Sequence, residues 1–196
     1  MSALPAESQP RRLGEILIAR GKVDAANLER ALRLQEGEPR EKLGVILNRL
    51  GLVSARDLAE ALSERLGIAV AAAAEYPELP LLEERVSDRF LRDARALPLR
   101  ETDEGLVVAM ADPADGFTIR AIEMASGKRV VPLLAVTTEL ESGLESALLL
   151  RAYAWDLEGK PERAEADARA ALAGNPACAP ARHRLESGPP VVETGR

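Results

Sequence analysis

Among 196 residues there is one cysteine, one histidine, one tryptophan, two tyrosines and two phenylalanines. The lone Cys178 excludes an intrachain disulfide and any CxxC zinc pair, and it reads as an inert small side chain in a helical tail. His183, the only histidine, lies close by with no ligand partner at helical spacing, and reads as a surface residue. No Ser/His/Asp or Cys/His nucleophile set can be assembled from these, and the carboxylates are spread along solvated helices rather than paired in an apolar setting. A catalytic role is therefore not expected. With aromatics at 3% the core must be built from Leu, Val, Ile and Ala. No apolar run approaches the roughly 20 residues that cross a bilayer, and the opening MSALPAESQPRR lacks the apolar stretch of a secretory signal. Membrane insertion is excluded and a cytoplasmic location expected. A basic excess is missing too. The net charge is −6, and although residues 11–65 carry 11 Lys/Arg against 9 Asp/Glu, that front suits a small dianion better than a duplex. Finally, there is no G-x-x-x-x-G-K-[ST]: the Gly-Lys pairs at Gly21, Gly127 and Gly159 lack both the preceding glycine and the following hydroxyl.

What the chain does have is a pattern that returns after 30 residues. Leu13-Gly14 recurs as Leu43-Gly44, and Ile16-Leu17, Gly21, Val23, Leu28 and Ala31-Leu32 recur as Ile46-Leu47, Gly51, Val53, Leu58 and Ala61-Leu62. Each copy opens on a cation, Arg12 or Lys42. Two similar units, each with one positive charge beside a Leu-Gly step, suit a ligand made of two similar anionic halves.

Within each unit the apolar positions fall at helical spacing, so each is predicted to be a helical hairpin. Gly21 and Gly51 sit where a left-handed residue ends the first helix, and Asp24 and Ser54 follow as N-caps of the second. The polar stretch 36–41 joins the hairpins. Extending the stripe Leu28, Leu32 by one step reaches Gln35, and extending Leu58, Leu62 reaches Arg65. Two readings of these endings stand. The stripe leaves the core there and a polar stem reaches water, or a leucine floor carries a planar base while the edge residue reads its hydrogen-bonding face.

From about residue 67 the texture becomes mixed. Val86–Ala94, with Ser87 as cap, reads as a helix; 96–100 and 106–111 read as strands of a hairpin closing on Gly105. A helix over 117–126 ends at Gly127, a third strand covers 130–136, and Thr138 opens a long helix to Glu158. The fold class expected is α+β: tandem helical hairpins packed with a small subdomain of helices on a three-stranded sheet, then an α-helical C-terminal hairpin.

Residues 12–35, RLGEILIARGKVDAANLERALRLQ, resemble the cyclic di-GMP-binding motif of the MshEN domain, the N-terminal domain of type II secretion and type IV pilus assembly ATPases. Arg12, Leu13, Gly14, Leu17, Gly21, Leu28, Leu32 and Gln35 all fit that pattern. The second copy fits through Lys42, Leu43, Gly44, Leu47, Gly51, Leu58 and Leu62, and departs at Arg65, where the family has Gln, with a linker one residue longer than usual. The stretch 106–113 and the run 127–132 resemble the remainder of the same domain. The resemblance implies that each guanine rests on leucines, that the glycine admits close approach of a phosphate-sugar ring, and that the cation meets negative charge. Gln35 offers a donor and an acceptor; Arg65 only donates, though its fork matches guanine O6 and N7. It further implies an acidic residue from the sheet subdomain at the nucleotide, for which Asp112 is the candidate; capping the turn before Pro113 is its alternative role. Beyond residue 145 the chain is similar to one tetratricopeptide repeat, in Leu148, Ala152, Trp155, Gly159, Ala164, Ala168, Ala171-Leu172 and Pro176. One repeat cannot bury its own face, so this hairpin must pack on the preceding domain, on another copy or on a partner; an ordinary helical hairpin is the alternative.

The organisation expected is a disordered N-terminus at 1–11, nucleotide-binding hairpins at 12–66, a small α+β subdomain of the same domain at 67–147, a TPR-like hairpin at 148–186 and a disordered tail at 187–196. The function expected is a noncatalytic regulatory module that needs no cofactor or metal, binds cyclic di-GMP, and signals to a protein partner of a secretion or pilus apparatus through the helical tail or the α+β subdomain. A docking adaptor of the same family that has lost nucleotide binding is the alternative. Helix-turn-helix DNA binding, a third reading, conflicts with the acidic balance.

Overall fold

The computed structural model describes residues 12–37, 41–76, 81 and 86–188; the ends expected to be disordered, apart from Ser187 and Gly188, lie outside the described residues, as does 38–40 of the linker. The chain divides into two units, Met1–Val70 and Ala71–Arg196.

The first unit contains α1 (Leu13–Ala19), α2 (Ala25–Gly37), α3 (Leu43–Arg49) and α4 (Ala55–Leu66). Both expected glycine stops form. Gly21 and Gly51 take φ of 66° and 67°. The next amides, Lys22 N–H and Leu52 N–H, reach back to Leu17 O at 2.9 Å and Leu47 O at 3.0 Å, the six-to-one bond that satisfies the last helical carbonyls. Asp24 Oδ1 then accepts Asn27 N–H at 2.7 Å, and Ser54 Oγ accepts Asp57 N–H at 3.1 Å, so both caps act as expected.

Within each hairpin the helices meet where Leu28 sits on Gly14 and Leu58 on Gly44, and the more extensive packing is between hairpins. Helix α1 lies against α4, and α2 against α3. Ile16, Leu17, Ile46, Leu47, Ala31 and Ala61 meet in one shared core. The two seams of this crosswise pairing differ in chemistry. On one, Arg20 pairs with Glu60 and Glu64 at 3.2 and 3.0 Å, and Lys22 with Asp57 at 2.7 Å. On the other, the equivalent residues Leu50 and Leu52 pack against the core.

The second unit begins with a 3₁₀ turn, Ala73–Glu75, then α5 (Asp88–Ala94), β1 (Ala96–Thr102), β2 (Gly105–Met110), α6 (Gly116–Ser126), β3 (Val130–Leu134), α7 (Thr137–Leu157), α8 (Pro161–Gly174) and α9 (Ala179–Ser187). The sheet order is β1-β2-β3. The first pair is an antiparallel hairpin with Thr102 opposite Gly105, and β2 and β3 are parallel, joined through α6. Alternation along β2 builds two cores. Leu106, Val108 and Met110 pack with Leu91 and Ile122, while Val107 and Ala109 pack with Leu97, Leu99 and Leu140. The third strand is shorter than the 130–136 expected: after it Ala135 N–H bonds Met110 O at 2.8 Å and Val136 already caps α7. The helix expected over Val86–Ala94 starts at Asp88, where Ser87 Oγ accepts Phe90 N–H at 3.2 Å.

Helix α7 has 21 residues. Its first turns pack on the sheet, where Gly143 lets Tyr76 and Leu97 approach; a Cβ there would lie 2.7 Å from Tyr76 Cδ1. It runs without a break past residues 147 and 148 and forms a hairpin with α8, whose Ala168 and Ala171 are buried with Leu148. Arg151 grips Asp167 through two bonds, Nε at 2.8 Å and Nη2 at 2.6 Å. Helix α9 is clamped back by an Arg184–Asp156 pair, and it buries Cys178 and Ala181. His183 is exposed. At the hairpin turn Lys160 Nζ and Arg163 Cζ sit 4.7 and 4.9 Å from the Trp155 ring centroid.

Candidate functional site

Arg12 and Lys42 occupy matching places. Each has extended backbone, with φ −69°, ψ 147° and φ −72°, ψ 139°, immediately before a seven-residue helix, and each side chain is exposed. Around Arg12 the helix start is braced by Glu15, whose Oε2 accepts the Arg12 N–H at 3.0 Å. The second copy has Val45 in that position.

The Leu-Gly steps are also equivalent in three dimensions. A Cβ added to Gly14 would lie 2.8 Å from Leu28 Cδ2, and one added to Gly44 would lie 2.9 Å from Leu58 Cδ1. Each glycine is thus the seat of the leucine that opens the stripe on the following helix. This reason for glycine is internal to the fold, and the sequence pattern alone does not reveal it. Leu13 is buried and Leu43 half-buried, while Leu28, Leu58 and Leu62 are partly covered at the core edge. Leu32 is 40% exposed. Its surroundings offer an apolar surface with a polar edge: Gln35 Nε2 donates to Glu41 O at 2.9 Å, fixing that side chain to the linker. Arg65, its counterpart, is exposed on the last turn of α4. The halves match at the glycine seats and diverge at the edge.

Asp112 belongs to the second unit. Its Oδ1 accepts Ala114 N–H at 3.4 Å and its carbonyl accepts Asp115 N–H at 3.1 Å, so it holds the turn that delivers Asp115 as the N-cap of α6. These two bonds fit the turn role considered for it.

The charged seam between the hairpins was missed by sequence reasoning. Its signal is the acid series Asp57, Glu60, Glu64 at helical spacing, with cations at 20 and 22 where the other repeat has leucines. The hydrogen bond from Lys22, with a second from Ser54, holds the Asp57 carboxyl below the usual carboxylate value, and the same contact raises Lys22. In the second unit the Ala72 N–H, reinforced by Arg100, lowers Glu75. No group of three metal-ligating side chains occurs among the described residues, and none of their helices is long and apolar enough to cross a membrane.

This architecture is that of the MshEN domain, whose family model matches residues 66–150, and the chain belongs to that family. It is 34% identical over 142 residues to the type II secretion system protein E of Xanthomonas campestris pv. campestris, a match covering 70% of this chain and 25% of that protein. The solved N-terminal domain of XpsE is 32% identical, with a TM-score of 0.57, covering 74% of this chain and 98% of that structure. MshE solved with cyclic di-GMP is 29% identical, with a TM-score of 0.51, covering 69% of this chain and 97% of that one. The chain spans at most 25% of the length of the curated relatives it matches.

Proposed function

We propose that this chain is a noncatalytic, cytoplasmic regulatory module that binds cyclic di-GMP on the paired hairpins and passes the bound state to a protein partner in a type II secretion or type IV pilus type apparatus. The observation that carries the reading is the duplicated Arg12/Lys42 cation followed by a Leu-Gly step seating the stripe leucine in the same way in both copies. A two-fold dianionic dinucleotide has two purines and two phosphates to match two such halves. Family membership, with a relative solved in the presence of cyclic di-GMP, supports that ligand. In this assignment Leu32 and Leu62, beside Leu28 and Leu58, carry the bases, Arg12 and Lys42 meet the phosphates, Leu13-Gly14 and Leu43-Gly44 shape the approach, and Gln35 and Arg65 read the purine edges.

Calorimetric titration with cyclic di-GMP tests the reading. Micromolar or tighter binding is expected, with one nucleotide per chain if a single molecule spans both hairpins, and loss in Arg12→Ala and Gln35→Ala. Arg65→Gln should tighten it by matching the halves, and Asp112→Asn in the same titration tests whether the acid of the other unit contributes. The second reading, a docking adaptor without ligand, is favoured by Arg65 standing where Gln is expected. Absence of heat with any cyclic dinucleotide removes the sensor and leaves the adaptor.

A further inference from the structure

Helices α5, α7 and α8 of the second unit border a cleft of about 330 Å³, a size that holds a small molecule. Its floor is one stripe of α7, formed by Leu140, Leu144 and Leu148. Four charged side chains also line it: Arg92 and Arg95 from the end of α5, and Glu141 and Glu145 from α7. Arg95 and Glu141 neutralise each other, with Nη2 at 2.8 Å from Oε1. The other two are held by neutral groups. Arg92 Nη1 donates to Ala170 O at 2.8 Å, and Glu145 Oε2 accepts Asn175 Nδ2–H at 3.1 Å. Both side chains are half-buried, and among the described residues neither forms an ion pair.

The guanidinium of Arg92 has an uncommitted edge. Arg151 and Arg184, on the neighbouring helices, each grip a carboxylate through Nε and Nη2, on Asp167 and Asp156. In Arg92 that same edge has no carboxylate, and its Nε is buried without an acceptor. A buried N–H without an acceptor is costly, and a carboxylate met by turning the guanidinium outward would remove that cost with a bidentate bond. Glu145 offers the opposite charge. Its anchor Asn175 and the Arg92 anchor Ala170 O are roughly 7 Å apart along the axis of α8, at about 1.5 Å per residue. That gap suits one small group carrying both charges, with a charge-assisted bond of about 2.8 Å at either end.

We infer that the cleft binds an apolar α-amino acid, its carboxylate on the Nε–Nη2 edge of Arg92, its ammonium on Glu145 and its side chain on the floor of Leu140, Leu144 and Leu148. A simple fatty acid or amine matches only one of the two charges. A zwitterion leaves the cleft neutral, as its own four charges do. The site lies wholly in the second unit and does not rest on the nucleotide reading.

Calorimetric titration of the full chain with leucine, isoleucine, methionine and phenylalanine should give a Kd between about 10 μM and 1 mM for at least one of them, as suits a ligand of about ten heavy atoms. For leucine, isocaproate lacks the ammonium, isoamylamine lacks the carboxylate and glycine lacks the side chain; each should bind at least about tenfold more weakly. Glu145→Gln should weaken the amino acid about tenfold while leaving isocaproate unchanged, and Arg92→Gln should do the same while leaving isoamylamine unchanged. Glutamine at 145 keeps an acceptor for Asn175, so that variant decides the matter if Arg92→Gln loosens the tail, as circular dichroism would show. Absence of heat with all four amino acids up to about 10 mM overturns the site. Analogues that bind as tightly as the amino acid, or affinity indifferent to Glu145→Gln, also overturn it.

Discussion

Asp167 is the residue whose removal most sharply tests how the C-terminal helices are held. Its carboxylate accepts two bonds from Arg151, at 2.8 and 2.6 Å, and the side chains of Arg151 and Asp167 are only 11% and 10% exposed. Asp167→Ala takes the carboxylate from a guanidinium that water barely reaches. Removing one partner of a buried pair costs about 3–5 kcal/mol; since a tenth of each side chain stays wet, about 3 kcal/mol is expected. At roughly 2–4 °C per kcal/mol for a chain of this size, Tm should fall by about 6–12 °C. The Arg151→Met/Asp167→Leu double variant removes both charges and their desolvation together, and should lie within about 1 kcal/mol of the parent. Trp155, the only tryptophan, sits on α7 beside the turn into α8, so its fluorescence during urea unfolding reports this hairpin directly. A loss of less than about 1 kcal/mol in the single variant, or a double variant as unstable as the single, would show that the pair is not held as a desolvated unit.

Three further outcomes are expected. Gly105→Ala should be strongly destabilising, by about 3 kcal/mol or more in thermal unfolding, because Gly105 holds φ at 143° and its Cβ would lie 2.2 Å from Arg129 O. Gly14→Ala should cost about 1 kcal/mol, the crowding of Leu28 outweighing the gain in helix propensity, and Leu28→Ala in the same chain should remove that penalty; unfolding midpoints of the two variants and their combination decide it. On acidification, Asp57 and Glu75 should both weaken the fold: their folded values lie below the unfolded ones, so their contribution is present above the ordinary carboxylate range and fades as pH falls through the lowered values. Urea midpoints measured from neutral pH downwards should fall, and Lys22→Ala should flatten the share that comes from Asp57.

The local signals were legible because each depends on a few adjacent residues. Gly21, Gly51 and Gly127 each take a left-handed conformation at a helix end, and Asp24, Ser54 and Ser87 cap the helices they precede. The α+β class, the β-hairpin closing on Gly105 and the long helix into the tail follow from the same kind of signal. Pairing was not legible. That α1 packs along α4 and meets α2 where Leu28 sits on Gly14 depends on which stripes find each other in space, and a 30-residue repeat is equally compatible with other pairings. The site was legible as a set of residue types. The bond from Gln35 to Glu41 O and the seat of Leu28 on Gly14 were not, since both join residues whose approach is set by tertiary packing.

The unlike seams between the two repeats also determine which repeat can partner which. If two first copies met crosswise, Arg20 and Lys22 would face the counterparts of Asp57, Glu60 and Glu64, which are Asn27, Arg30 and Leu34. If two second copies met, Leu50 and Leu52 would be driven onto those three acids. Only a first copy against a second satisfies both edges, so discrimination against like-with-like assembly is written into the mismatch.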